Sequence, residues 1–160
     1  MNGAPHEESS SEKLSGLRKV MEENIPFNRV LGVSVAHLTE GRAIFAVPFR
    51  EELIGDPKRP ALHGGVLSAV ADAAGGAAVW SRIGVSDRVS TIDLRVDYLR
   101  PAQLSTFHAD AEVLRVGNRV GVARIRVFHP DEPDKTVAEA KGVYSIHRPR
   151  QRQGGNDGAR

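Results

Sequence analysis

The sequence predicts an α+β domain in which one long helix covers one face of an antiparallel sheet. Residues 60–80 read as a helix of small apolar residues, and half of residues 64–83 are Gly or Ala. After this segment the hydrophobic pattern changes to a period of two, which is typical of strands with one buried face. Small side chains let a helix lie close to a curved sheet, so we expect the sheet to wrap around it.

The remaining elements follow from periodicity and turn residues. Leu14, Leu17 and Val20 lie at helical spacing and predict a short amphipathic helix over residues 10–24, which the segment Ile25-Pro26-Phe27 ends. A turn-rich connector with two prolines, residues 51–61, is expected to be irregular. Strands are predicted at residues 33–38, 42–49, 88–99, 107–116, 119–129 and 135–147, with Gly117-Asn118 as a two-residue hairpin turn.

One strand alternates so regularly that its two faces can be assigned. In RVSTIDLRVDYL, residues 88–99, the apolar face carries Ile92, Leu94, Val96 and Tyr98. The other face carries Asp93, Arg95 and Asp97, and it is a polar surface on which two dimers could meet.

Composition limits the class of protein. The 160 residues suffice for one domain, which we place at residues 13–147, between a disordered N-terminus (1–12) and a disordered basic tail (148–160). The chain has no cysteine, which excludes disulfides and a thiol nucleophile. No secretory signal is visible, and residues 61–80 are too weakly apolar for a membrane span. We therefore expect a cytoplasmic protein that binds neither a membrane nor a specific nucleic acid.

A single carboxylate in the long helix is the first candidate for chemistry. Asp72 is the only charged residue between Gly64 and Val79, and its helical neighbours are small and uncharged. Burying an ionised carboxylate without partners costs several kcal/mol. Asp72 is therefore either a structural acid bound to neighbouring polar groups or a functional one.

The start of the same helix is the second candidate. His63-Gly64-Gly65 opens it with unobstructed backbone N–H groups at the positive end of the helix dipole. Such groups can stabilise an oxyanion that develops on a carbonyl. The alternative is a plain glycine turn in which His63 has a capping role.

Spacing constrains how the two candidates could cooperate. Gly64 and Asp72 are eight residues apart, which is about 12 Å along one helix at ~1.5 Å per residue. One carbonyl group cannot contact both within one chain. A joint site therefore requires a dimer whose helices lie antiparallel.

Other site classes find no support in the sequence. The six histidines show no metal-ligand spacing, so we expect no metal. There is no nucleophile elbow around Ser68 and no glycine-rich phosphate or dinucleotide motif, so no cofactor is expected.

At this point the residues match a family. The pattern L-H-G-G with an acid nine residues after the histidine, followed by S-T-I-D-L-x-V-x-Y-L-R-P-A, resembles the hotdog-fold acyl-CoA thioesterases of the PaaI type, within the 4-hydroxybenzoyl-CoA thioesterase superfamily. The resemblance extends from about Phe27 to His147. It implies a curved antiparallel sheet around the long helix, in dimers and often tetramers, acting on acyl-CoA without a cofactor.

The resemblance also implies roles for individual residues. The acid at Asp72 acts as general base or nucleophile, and the backbone N–H at Gly64 polarises the carbonyl across the dimer. A hydroxyl on the following strand orients the water. Counting back from Tyr98 assigns this role to Thr91, whereas the strand's alternation assigns it to Ser90, and both stay candidates.

Substrate-binding positions are implied in the same way. The turn Gly117-Asn118 and His147 match positions that often line the CoA groove, and Arg100 and Arg119 are candidate phosphate partners. Gly65 and Tyr98 belong to the same motifs. Many relatives carry an asparagine six residues before the histidine. Here that position is Pro57, with Asp56 beside it as the possible replacement.

Two other functions remain possible from the sequence. One is a hotdog enoyl-CoA hydratase or dehydratase, in which His63 would transfer protons beside the carbonyl. The other is a non-enzymatic acyl-CoA-binding protein, for which an acid at position 72 has no evident use. The thioesterase accounts for more of the residues than either alternative does.

Overall fold

The computed structural model describes residues 10–149 of the chain. Along the chain, one long helix separates an N-terminal group of short helices and a hairpin from a C-terminal group of strands. The elements are α1 (Ser10–Lys19), a π-helical turn (Val20–Asn24), α2 (Pro26–Leu31), β1 (Ser34–Thr39), β2 (Arg42–Val47), a 3-10 turn (Glu51–Leu53), α3 (Gly64–Trp80), β3 (Arg88–Tyr98), β4 (Phe107–Val116), β5 (Val120–Phe128) and β6 (Thr136–His147).

The strands form one six-stranded antiparallel sheet in the order β1-β2-β4-β5-β6-β3. Helix α3 packs on one face of this sheet and contacts β2, β3, β4, β5 and β6. The predicted α+β fold, with a sheet around one long helix and a short N-terminal helix, is confirmed. Strands β1 and β3 are the two edges, and β3 is the longer of them.

Close packing explains why α3 consists of small residues. A Cβ atom on Gly75 would overlap the hydroxyl of Tyr144, and one on Gly121 of β5 would overlap the side chain of Val79. Tyr144 is 1% exposed and is among the largest fully buried side chains. The glycines therefore make room for large side chains between helix and sheet, where packing tolerates little extra volume.

Strand β3 departs from the predicted alternation at one residue. Thr91 pairs with Tyr144 and Asp93 with Val143 of β6, so Ile92 is an extra residue in a bulge. Ile92 is 58% exposed, while Leu94 and Val96 pack against the core. The assignment of Ile92 to the buried face is wrong, because one inserted residue reverses the face of everything before it.

The N-terminal segment agrees with the predicted helix over 10–24, whose last five residues, Val20–Asn24, are π-helical. Because α1 begins at Ser10, the predicted disordered segment 1–12 is wrong for its last three residues, and its first nine lie outside the described residues. Of the predicted basic tail, Arg148 and Pro149 are described, and Arg148 lies 3.7 Å from Asp87. Residues 150–160 lie outside the described part.

Two connections differ in detail from the prediction. The connector expected to be irregular contains the 3-10 turn and is closed by hydrogen bonds from Gly55 N–H to Ala61 O and from His63 N–H to Leu53 O. The turn between β4 and β5 has three residues, Gly117 to Arg119, and not two, because Val120 is the first residue of β5. No helix within residues 10–149 has the length and hydropathy to cross a membrane.

Candidate active site

Asp72 and Thr91 form a hydrogen-bonded pair in the cleft between α3 and β3. The Thr91 hydroxyl lies 2.9 Å from one carboxylate oxygen of Asp72 and 3.0 Å from the other, and it donates to this carboxylate. Asp72 is half-buried in the middle of α3, and Thr91 is accessible on the edge strand. The carboxylate is thus held in place while one side of it stays open to a ligand.

The environment of Asp72 changes its acidity. Burial raises the pKa of Asp72 above its ordinary value, and the hydrogen bonds from Thr91 and Tyr144 offset part of that increase. A carboxylate with a raised pKa accepts a proton more readily, while the Thr91 hydroxyl keeps it oriented. The arrangement suits a general base or a carboxylate nucleophile.

Tyr144 is a site residue that the sequence analysis missed. Its hydroxyl donates to the main-chain carbonyl of Asp72 at 3.1 Å. Burial and the negative charge of Asp72 raise the pKa of the Tyr144 phenol, so it stays a donor. Two glycines, Gly75 on α3 and Gly142 on β6, leave the space that its ring occupies. Two glycines opposite one large aromatic residue could have indicated Tyr144. This relation can be recognised only when the pairing of the strands is known.

The structure distinguishes between the two hydroxyl candidates on β3. Thr91 contacts Asp72, and Ser90 is exposed and makes no such contact. The alternation that favoured Ser90 was counted through Ile92, where the bulge interrupts it. The expectation that Ser90 faces the helix is therefore wrong, while the catalytic role of Thr91 stays a prediction.

At the start of α3 the three predicted residues have different environments. His63 is the N-cap, and its Nδ1 accepts a hydrogen bond from Gly65 N–H at 2.9 Å. Its backbone carbonyl accepts one from Val66 N–H. Within residues 10–149 the Gly64 N–H has no hydrogen-bond acceptor. The only one of these N–H groups left for a ligand is therefore that of Gly64, and His63 has the capping role.

Tyr98 holds the same helix end from the sheet. Its hydroxyl donates to the Gly64 carbonyl at 2.9 Å, and a Cβ at position 64 would lie 3.2 Å from the Tyr98 ring. Gly64, Tyr98 and Arg100 line a shallow cleft of about 370 Å³. This cleft and the cleft that contains Asp72 share no lining residue, so they are separate in one chain.

The remaining predicted binding residues lie at the surface in two groups. Arg100 follows the end of β3 and donates to the Thr136 carbonyl. His147 pairs with Arg88 at the opposite end of β3. The turn of Gly117, Asn118 and Arg119 lies at this same end, where Ile146 N–H donates to the Arg119 carbonyl. A strand of this length places the two groups about 30 Å apart in one chain.

Asp56 has a local structural partner. Its carboxylate accepts a hydrogen bond from Lys58 N–H at 2.9 Å, which closes a tight turn in the exposed connector. It does not line the cleft that contains Asp72. This geometry therefore does not support Asp56 as the replacement for the asparagine.

The cleft that contains Asp72 is mostly apolar and has a volume of about 330 Å³. Side chains of the N-terminal segment and of α3 line it. A larger groove of about 540 Å³ lies elsewhere, where the ion pairs Arg42–Asp110 and Arg124–Glu112 and other charged side chains line it. That groove contains no site residue, so volume alone does not identify the active centre. Within the described chain no group of three or more His, Asp or Glu residues could hold a metal ion.

Comparisons with known proteins identify the family of the chain. A model of the thioesterase superfamily matches residues 60–135, which include α3 and β3. The medium/long-chain acyl-CoA thioesterase YigI of Escherichia coli K12 is 33% identical over 136 residues, covering 77% of this chain and 86% of YigI. A protein of Halobacterium salinarum, whose name assigns it provisionally to the esterases, is 41% identical over 125 residues, covering 74% of this chain and 82% of that protein.

Solved structures support the same assignment. A crystal structure from Shewanella oneidensis, described as related to the thioesterase superfamily, is 29% identical and has a TM-score of 0.75, with 85% of this chain and 96% of that chain covered. The predicted family resemblance is confirmed. The chain belongs to the thioesterase superfamily, has the hotdog fold and is a thioester hydrolase.

Proposed function

We propose that the protein is a PaaI-type acyl-CoA thioesterase in which Asp72 acts on the thioester carbon and the Gly64 N–H of the partner subunit binds the oxygen. The observation that carries the proposal is a half-buried carboxylate, held by Thr91, at an apolar cleft. The YigI relatives are named for hydrolysis of medium- and long-chain acyl-CoA, which supports the same substrate class here.

The reaction needs three contributions from the protein: a base or nucleophile, a group that orients it, and a hydrogen-bond donor to the oxyanion. As general base, Asp72 accepts a proton from water, whose oxygen attacks the carbonyl carbon; the C–S bond then breaks and CoA leaves as the thiol after protonation. As nucleophile, a carboxylate oxygen of Asp72 attacks the carbonyl carbon, the C–S bond breaks and CoA leaves, which gives an anhydride; water then cleaves the anhydride, releasing the acid and restoring the Asp72 carboxylate. Both routes remain open. In either, Thr91 orients the carboxylate or the water.

The hydrogen bond to the oxyanion is the contribution that a chain cannot make to a carbonyl bound at its own Asp72. The free Gly64 N–H lies about 12 Å along α3 from that residue. Removing one donor from such a site in other hydrolases costs about 10²–10³ in kcat, so the contact is a large part of catalysis. We therefore propose that a homodimer is required for activity, with each active centre built from Asp72 of one subunit and Gly64 of the other.

Strand β3 is suited to form this dimer. It is an unpaired edge of 11 residues, and Ile92, Tyr98 and Leu99 on or beside it are more than half exposed. Antiparallel pairing of two β3 strands about an axis at Arg95 would place Leu94 opposite Val96 of the partner subunit, on the face that packs against the core. Because Ile92 is an extra residue in its bulge, this register would bring Thr91 close to Tyr98 of the partner subunit. Tyr98 holds Gly64, so this register would join the two clefts as half-sites of one active centre.

The same pairing would reunite the two groups of predicted CoA-binding residues. Arg100 lies beyond one end of β3, and His147 with the turn of Gly117, Asn118 and Arg119 lies at the other. Antiparallel strands bring opposite ends together, so these groups would form one groove across the dimer. Association of dimers into tetramers and a cytoplasmic location stay predictions.

A thiol-release assay over a panel of acyl-CoAs tests the proposal. We expect the wild-type protein to hydrolyse members of the panel and Asp72→Asn, which keeps size and hydrogen bonding, to lose about 10²–10⁴-fold in kcat. Analytical ultracentrifugation should show the same dimer for both. Unchanged turnover in Asp72→Asn would contradict the assignment. Hydration of enoyl-CoA without CoA release would favour the hydratase alternative, and saturable binding without product the binding protein.

A further inference from the structure

The cleft at Asp72 follows one face of α3 and ends at a tryptophan. Gly76 and Trp80 lie four and eight residues after Asp72, so they share its helical face, and all three line the cleft. Ala69, Ala73 and Gly76 form its floor with side chains that occupy little space. Trp80 thus stands about 12 Å along the helix from the carboxylate.

The N-terminal segment forms the opposite wall of the cleft. Met21, Ile25 and Phe27 line it, and Phe27 is 58% exposed at its rim. Polar contacts fix this wall to the edge strand β1: Glu22 accepts a hydrogen bond from Val35 N–H at 2.6 Å, and Arg18 donates to the Val35 carbonyl. Both partners lie in one residue of β1, which holds the segment at a defined distance from α3.

A second cavity lies behind Trp80. It has a volume of about 210 Å³ and is lined by side chains of α1, the π-helical turn and the α3–β3 connection. Trp80 is the only residue that lines both this cavity and the Asp72 cleft. The further lining residues are Lys13, Gly16, Leu17, Val20 and Val85. The indole therefore separates two adjacent, mostly apolar spaces.

We propose that Trp80 limits the length of the acyl chain, so that the preferred substrates are straight, medium-length fatty acyl thioesters. This inference rests on the proposed function, because the reacting carbonyl must lie at Asp72. An extended chain advances roughly 1.2 Å per bond, as three backbone bonds span up to ~3.6 Å. The 12 Å to Trp80 then accommodates about ten bonds.

The volume of the cleft leads to a similar length. A methylene group takes about the space of a water molecule, roughly 30 Å³. The cleft of about 330 Å³ therefore holds on the order of ten such groups. The volume is thus compatible with the chain length that the distance from Asp72 to Trp80 allows.

Two substitutions should move the chain-length preference in opposite directions. Trp80→Ala opens the second cavity, and kcat/KM for chains a few carbons longer than the wild-type optimum should rise by at least about tenfold relative to that optimum. Gly76→Leu fills the middle of the cleft, where a Cβ has ordinary van der Waals contact with Tyr144 at 3.6 Å, and it should favour shorter chains. The measurement is thiol release over straight-chain acyl-CoAs of increasing length.

A third substitution provides the matched control. Gly16 lines the second cavity and has open space where a Cβ would be added. In the Trp80→Ala protein, Gly16→Leu should refill the cavity and restore the shorter optimum. In the wild-type protein, Gly16→Leu should leave the profile unchanged, because Trp80 still closes the cleft.

The outcomes separate this inference from the proposed function. If wild-type protein hydrolyses acyl-CoA but Trp80→Ala and Gly76→Leu both keep the wild-type optimum, the role of Trp80 is overturned and the proposed function stands. If Trp80→Ala does not fold, an unshifted Gly76→Leu profile alone contradicts the cleft as the acyl site. If wild-type protein releases CoA from no member of the panel, both are wrong.

Discussion

The two half-sites on α3 differ in how completely one chain builds them. The Asp72 centre is held by Thr91 on β3 and Tyr144 on β6, and burial changes the acidity of its carboxylate. The start of the helix is accessible, and its Gly64 N–H has no acceptor within the described chain. One chain thus positions the carboxylate of Asp72 but leaves the Gly64 N–H without an acceptor, as expected under our proposal that this N–H binds the oxyanion of a substrate held by the partner subunit.

At the start of the helix, the largest effect should come from removing the Gly64 N–H alone. Gly64 is the first residue of α3, where proline is well tolerated, and His63 before it is extended with φ −66° and ψ 129°, as a residue before proline prefers. We expect Gly64→Pro to lose about 10²–10³ in kcat, measured by thiol release.

Gly64→Ala is the control for this prediction. Its Cβ meets the Tyr98 ring at the same 3.2 Å but its N–H is retained. It should keep most of the activity that Gly64→Pro loses. Equal activities in the two variants would show that the N–H has no catalytic role.

The part of the site around Asp72 should depend on the close packing of Tyr144 between α3 and the sheet. The start of α3 should not depend on this packing. Gly75→Ala places a Cβ on the Tyr144 hydroxyl and should lower the free energy of unfolding by about 1–3 kcal/mol, measured by urea denaturation. The same substitution in a Tyr144→Phe background should cost less, because the conflicting oxygen is gone. A cost unchanged by Tyr144→Phe would mean that the clash lies elsewhere.

A smaller and more specific effect is expected from the hydroxyl on β3. Because the Thr91 hydrogen bond lowers the pKa of Asp72, Thr91→Val should raise that pKa further. The base must be ionised to act, so the acid limb of the kcat–pH profile should move to higher pH, and kcat on that limb should fall. Ser90→Ala is the matched control and should show neither change. If the acid limb of the kcat–pH profile does not move in Thr91→Val, the Thr91 hydroxyl does not affect the ionisation of Asp72.

The sequence was sufficient for the fold because its signals were local and consistent. The period-two strands and the Gly- and Ala-rich helix predicted the layout of helix and sheet. The division of the site between two subunits, inferred from the spacing of Gly64 and Asp72, stays a prediction. The bulge at Ile92 was not predictable, because an inserted residue shows itself only in the pairing of β3 with β6. Tyr144 was missed for a related reason: its place under Asp72 depends on contacts between residues 72 positions apart.

The central claim is that each active centre takes Asp72 and Gly64 from different subunits, and mixed dimers test it most directly. Asp72→Asn and Gly64→Pro chains, each nearly inactive alone, would be unfolded together and refolded as a mixture. In a mixed dimer one centre carries both substitutions and the other carries neither. With random pairing, half the dimers are mixed and half of their centres are intact, so activity should return to about one quarter of wild type. If both groups acted within one chain, every centre would carry one substitution, and no activity would return.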